Sequence, residues 1–139
     1  MSTAIPDPAA GPGRGAVRAG WALSILAILF FLMDGGMKLA YLPIVAETSA
    51  QLGWPADRFT VYLLAALLLG SALLYAVPRS ALLGAILLTG YLGGAVATHV
   101  RVSSPLFSHV LFGVYLGIVV WGGLWLRDAR VRALLPLVR

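Results

Sequence analysis

Four long apolar runs, separated by clusters of proline, glycine and charge, divide the chain. The first extends from about Arg18 to Leu42, with Trp21 near its start and Pro43 just past its end. The second covers about 59–77 and stops at Pro78-Arg79, and the third covers about 80–100, uncharged from Ser80 to Thr98. The fourth covers about 106–126 and stops at Arg127-Asp128. A helix needs roughly 20 mostly apolar residues to cross a bilayer, and each run approaches or exceeds that length. Short connections between the last three runs make them antiparallel neighbours. The pattern therefore predicts an all-α, integral-membrane, antiparallel four-helix bundle over residues 18–128.

Runs one and two are joined by PIVAETSAQLGWPADR, which is itself patterned. Ile44, Val45, Thr48 and Leu52 fall near one face of a helix, Gly53 suits its C-terminus and Pro55 follows. A short helix over about 44–52 is predicted at the membrane interface, anchored by Trp54. Residues 1–17, MSTAIPDPAAGPGRGAV, are rich in Pro, Gly and Ala and read as a disordered tail. The tail lacks the form of a signal peptide, because charge and apolar run come after it. Residues 129–139, ARVRALLPLVR, read as a cytoplasmic tail with a short amphipathic turn on the membrane surface.

Composition sharpens this picture. Hydrophobic residues make up 60% of the chain and charged residues 11%, with a mean hydropathy of +0.94. A soluble domain carries about 25% charged residues, so water is the wrong solvent for most of this surface. The absence of cysteine removes disulfides, thiolate nucleophiles and Cys-ligated zinc, and makes any redox role depend on a bound cofactor or a partner. The net charge of +5 comes from arginines flanking apolar runs, which points to anionic lipid head groups and not to nucleic acid. With both termini inside, the inner flanks hold Arg14, Arg18, Arg79, Arg127, Arg130, Arg132 and Arg139, against Arg58 and Arg101 outside with Lys38 near them. That bias predicts a multi-pass protein of the bacterial plasma membrane with both termini cytoplasmic.

Topology then gathers the scattered polar residues at one end. Asp34 lies about 24 Å along the first helix from Arg18, at 1.5 Å per residue, and Lys38 is one turn further out. Standing at i and i+4, the two can pair. His99, Arg101, Tyr62, Arg58 and His109 fall on the same side, and Glu47 lies in the loop there. A charge at the bilayer centre costs about 2.5 to 3.5 kcal/mol, and pairing lowers that cost. Two readings of Asp34–Lys38 follow: a pair that fixes helix depth and binds the bundle, or the polar floor of a ligand cavity.

On the third run, Gly84, Leu88, Tyr91, Ala95 and His99 share a face, while Gly90, Gly93, Gly94 and Ala97 gather on the other side. Gly90-x-x-x-Gly94 and Gly113-x-x-x-Gly117 are small-residue seams, read as helix packing within the bundle or between copies. His99 and His109 lack HxxxH or HExxH spacing, so no metal site is predicted. No catalytic residue is identified: Ser103 and Ser104 lie near His99, but nothing supplies an oxyanion hole.

Several stretches resemble the DoxX-like family of small bacterial membrane proteins. The resemblance is carried by VPRSALLGAILLTGYLGGAVATHVRVSSPLF (77–107), by DGGMKL (34–39) and QLGWP (51–55) in matching order and spacing, and by LRDARVRALLP (126–136). It covers roughly residues 18–136 and implies a four-helix inner-membrane protein. The wider group has been linked to oxidoreductase complexes, including a quinone-reducing thiosulfate oxidation system and an oxidative-stress assembly. Many relatives carry an acidic residue near the start of the second helix, where TVYLLAALLLG (60–70) has none.

Two functions fit. One is binding of an isoprenoid quinone or similar amphiphile within a membrane oxidoreductase system, with Lys38, Tyr91, His99, Arg101 and His109 around the head group and Asp34 orienting Lys38. The other is a non-enzymatic accessory subunit that meets a membrane protein partner, or a second copy of itself, through its glycine seams. Transport ranks below both, since four spans without broken helices offer little for alternating access.

Overall fold

The computed structural model describes residues 11–137, and most of the expected N-terminal tail (1–10) lies outside them. Helix α1 (Arg14–Leu39) begins four residues before the expected start, because nothing after Pro12 and the extended Gly13 breaks a helix. Then follow α2 (Pro43–Gln51), α3 (Arg58–Ala76), α4 (Ala81–Arg101), a π-helical turn (Leu106–Val110), α5 (Phe112–Arg127) and the short α6 (Ala129–Leu134). Four segments are long and apolar enough to cross a membrane: 14–39, 58–76, 81–101 and 106–127. The fold is all-α, and no strand occurs among the described residues.

The four long helices form a ring. Helix α1 packs on α3 and α5, and α4 packs on the same two, leaving α1 and α4 diagonal. Phe31, Leu68, Tyr75, Leu88, Val120 and Leu124 fill the centre. Leu and Ile side chains cover the outside, for example Leu29, Leu67, Leu83 and Ile118, as a lipid-facing surface requires. The arginine-rich flanks (Arg14, Arg18, Arg79, Arg127) lie at one end, here the terminal end. Helix α2 and the α4–α5 connection lie at the other, the α2 end.

Close backbone approach is made by glycines that sequence spacing did not single out. Gly20 and Gly123 face each other where α1 crosses α5: an added Cβ at Gly20 would stand 2.6 Å from the Gly123 carbonyl oxygen. Gly84 lies against the Tyr75 backbone. Of the four glycines expected to pack, Gly113 does so, with its Cβ position 2.8 Å from Val96 Cγ2. Gly90, Gly94 and Gly117 do not: an added Cβ would meet nothing within 4 Å. The x-x-x spacing places two glycines on one face but does not decide whether that face turns to a neighbour or to lipid.

Three helices at the α2 end share one kind of termination. After α1, Tyr41 (φ 50°) donates to Lys38 O and Leu42 to Met37 O. After α2, Gly53 (φ 75°) donates to Ala50 O and Trp54 to Ser49 O. After α4, Ser103 (φ 55°) donates to Val100 O and Ser104 to His99 O. Each is the paired 5→2 and 6→1 closure that needs a left-handed residue. Glycine adopts that conformation freely, but Tyr41 and Ser103 do so at a cost of order 1–3 kcal/mol. Helix α3 starts instead on Asp57, whose carboxylate accepts from Thr60 N (2.9 Å) and Thr60 Oγ1 (2.8 Å). Those bonds hold the Asp57 pKa below its ordinary value, the Thr60 amide contributing most.

Candidate functional site

A cavity of about 470 Å³ opens inside the α2 end, between α1, α4 and α5, with α2 as one wall. Its deeper part is lined by Phe30, Phe31, Leu64, Leu68, Leu92 and Leu116. Nearer the α2 end the cavity carries Asp34, Lys38, Thr98, His99 and His109, while Tyr91 stands level with Leu92. Five of the six expected site residues thus meet in one space: Asp34, Lys38, Tyr91, His99 and His109. Both Asp34 and Tyr91 line the cavity because α1 and α4 stand on the ring's diagonal, where they share no extended contact.

Lys38 Nζ donates to Asp34 Oδ2 at 2.5 Å, within one turn of α1. The pair neutralises itself, and neither side chain is fully exposed. Tyr91 stands opposite, on the face it shares with Ala95 and His99. His99 Nδ1 bonds Ser104 Oγ at 2.9 Å, and His109 Nδ1 bonds Ser108 Oγ at 2.7 Å. The two rings meet edge to face with centroids 5.7 Å apart. With each Nδ1 engaged by a serine, Nε2 is the nitrogen each ring offers to a ligand. The π-helical turn brings His109 there: the Pro105 carbonyl accepts from the amides of both His109 and Val110, widening the coil at the start of α5.

Arg101 is the expected residue that does not join the cavity. It turns to a separate recess beside Gly53, Trp54 and Ala97, where Nη2 donates to the Leu52 carbonyl at 2.7 Å. It therefore holds the C-terminus of α2, a favourable place for a cation. Conversely, Trp54 was expected only as an interfacial anchor but lines the cavity together with Thr48 and Ser49. The sequence signal for this was the apolar face of α2: Ile44, Val45, Thr48 and Leu52 all line the cavity. Gly94 lines it too, on the edge of the α4 small-residue face nearest Tyr91. Among the described residues no cluster of three or more His, Cys, Asp or Glu could hold a metal ion.

At the terminal end a second polar group is buried. Arg127 Nε donates to Ser24 Oγ (3.0 Å), and Tyr75 OH donates to the Val120 carbonyl (2.7 Å). Ser24 Oγ and Tyr75 OH are 2.9 Å apart. Since an arginine only donates and a carbonyl only accepts, the chain runs one way: Arg127 to Ser24 to Tyr75 to Val120. The Arg127 guanidinium also stacks on Trp21, 4.1 Å from the ring centroid. Arg127 looks like a simple stop signal in the sequence, but it folds back to tie α5 to α1 and α3. Ser24 and Tyr75, polar groups inside apolar runs, were the available hints.

The profile of the DoxX-like family matches residues 22–123. The match takes in most of α1, all of the cavity lining and most of α5, and it stops short of the 126–136 segment. No curated protein and no solved structure matches the chain. The chain belongs to the DoxX-like family.

Proposed function

We propose that this DoxX-like membrane protein holds an uncharged amphiphile with hydrogen-bond-accepting oxygens, of which an isoprenoid quinone is the type, as part of a membrane oxidoreductase system. The observation that carries the reading is the polarity gradient of the cavity. Its deep part is aromatic and aliphatic with the Tyr91 side chain among it, and its shallow part carries the polar side chains of Asp34, Lys38, Thr98, His99 and His109. Lys38 has N–H groups beyond the one given to Asp34, and Tyr91, Trp54, His99 and His109, which carry O–H or ring nitrogen groups, line the same space. The carboxylate of Asp34 accepts from Lys38 through Oδ2, which balances the charge of the strongest acceptor present. The matching ligand brings acceptors such as carbonyl oxygens. Its head is neutral, because the site's permanent charges cancel as Lys38 and Asp34. A volume near 470 Å³ lies within the ~300–1,000 Å³ range of small-molecule sites.

The arginine bias supports placing the terminal end in the cytoplasm and the cavity in the outer leaflet of a bacterial plasma membrane. With no cysteine in the chain, electrons would pass through the bound molecule or a partner subunit.

The test is mass spectrometry of small molecules retained by gently extracted protein. Wild type is expected to carry a quinone or comparable amphiphile. The double variant Asp34→Asn/Lys38→Met, which removes both charges together, is expected to lose about tenfold in occupancy, the effect of one or two polar contacts. Equal occupancy in the two proteins would reject the reading.

The open surface beside Gly90 and Gly93 favours a second reading, in which α4 docks on a membrane partner or another copy. Gly90→Leu is then expected to abolish co-purification or self-association while leaving the cavity intact, since Gly90 does not line it. Unchanged association on native gels would remove this alternative.

A further inference from the structure

Helix α2 differs from every other wall of the cavity in how it is held. The spanning helices pack along one another, whereas α2 has no such extended packing partner. Left-handed residues stand at both its ends, Tyr41 before it and Gly53 after it. The neck of this segment is closed below both. The Tyr41 hydroxyl donates to the Ala56 carbonyl, Arg58 lies over the Tyr41 ring at 4.8 Å, and Tyr62 meets that ring edge-on. Movement of residues 42–55 would therefore leave α1 and α3 where they are. Among the described residues, the apolar face around Val45 and one charge-assisted bond, from Arg101 Nη2 to the Leu52 carbonyl, fasten the segment to the bundle. Gly53 leaves space for that bond: an added Cβ would stand 3.1 Å from Nη2.

We propose that residues 42–55 form a hinged flap over the cavity and that the Arg101–Leu52 bond is its latch, so that Arg101 sets how fast the bound amphiphile enters and leaves. This rests on the ligand reading above and adds the route and its control. Arg101 is a positioning residue that acts without touching the ligand. Its place outside the cavity, although it stands two residues from His99, is explained by this role. The left-handed conformation of Tyr41, unfavourable for a side chain, is kept because the clamp to Ala56 and Arg58 requires it.

The absence of native cysteine allows a direct test on the full-length chain in lipid nanodiscs. Val45→Cys places a thiol on the buried face of α2, Ala50→Cys on its exposed face and Leu88→Cys in the core away from the cavity. Adding Arg101→Ala is expected to speed maleimide labelling at position 45 about tenfold, the effect of losing one charge-assisted hydrogen bond, and to leave positions 50 and 88 unchanged. Gly53→Ala, which crowds the latch and strains the turn, is expected to act in the same direction. Release of decylubiquinone, the probe ligand, is expected to accelerate by a similar factor in both variants. The flap is overturned if labelling at position 45 does not change, or if position 88 speeds up equally and shows general loosening. Faster labelling with unchanged quinone release overturns the gating role while leaving the ligand site intact. If wild type binds no decylubiquinone, the quinone form of the ligand reading and the gating of that ligand both fall, and the labelling decides the flap alone.

Discussion

Gly84→Ala is expected to lower stability by about 3 kcal/mol or more, a fall of about 10 °C in the thermal midpoint measured in mild detergent. The added methyl would coincide with the backbone N and Cα of Tyr75. Backbone cannot rotate out of the way as a side chain does, so α3 and α4 must separate along a contact that buries Leu68, Ala72, Ala81, Ala85 and Leu88. Gly90→Ala, six residues along the same helix, is the control. Its Cβ enters open space, and alanine is favoured over glycine inside a helix by roughly 0.5–1 kcal/mol, so its midpoint should hold or rise. Near-equal midpoints for the two variants would mean that the α3–α4 contact is not as close as described.

Ser24→Ala is expected to cost about 2–3 kcal/mol, more than a buried hydroxyl commonly contributes, because of what it leaves behind. The serine is fully buried and is the acceptor for Arg127 Nε. Arg127 Nη2 is already buried without a hydrogen-bond partner among the described residues. Without Ser24 the guanidinium, which stays charged, would keep its place over Trp21 with neither nitrogen satisfied. In an Arg127→Met background that penalty is gone. Ser24 then only donates to Tyr75, and Ser24→Ala should cost about 1 kcal/mol. The double-mutant cycle therefore predicts a coupling of about 1–2 kcal/mol. Equal costs in both backgrounds would show that Ser24 and Arg127 do not act together. The two predictions are linked through Tyr75: a shift of α3 forced at position 84 also disturbs the hydroxyl that closes this chain.

The cavity and the polar chain lie at opposite ends of one core and differ in how they are held. At the terminal end, donors and acceptors are matched in sequence, and among the described residues one buried side-chain nitrogen, Arg127 Nη2, remains unpaired. At the α2 end, Tyr41 and Ser103 hold costly left-handed conformations, and α2 is tied to α4 by the bond from Arg101 to the Leu52 carbonyl. A region stabilised this lightly is where ligand exchange can take place without unfolding the bundle.

The amino-acid sequence by itself determined the four spans, the short helix between the first two and the pairing of Asp34 with Lys38. All of these depend on neighbours a few residues away: hydropathy summed over a turn or more, a proline at the start of α2, a glycine at its end, an acid and a base four apart. The shared face of Tyr91, Ala95 and His99 was legible for the same reason, since helical periodicity is local. Only the tertiary structure decided how each helix is rotated and which helices touch. That is why Gly20, Gly84 and Gly123 make the close contacts while Gly90, Gly94 and Gly117 touch no neighbouring helix closely, why Arg127 turns into the bundle, and why Arg101 grips α2 and leaves the cavity to the histidines. Rotation about a helix axis costs nothing locally, and the packing of distant side chains sets it, so no window of sequence contains it.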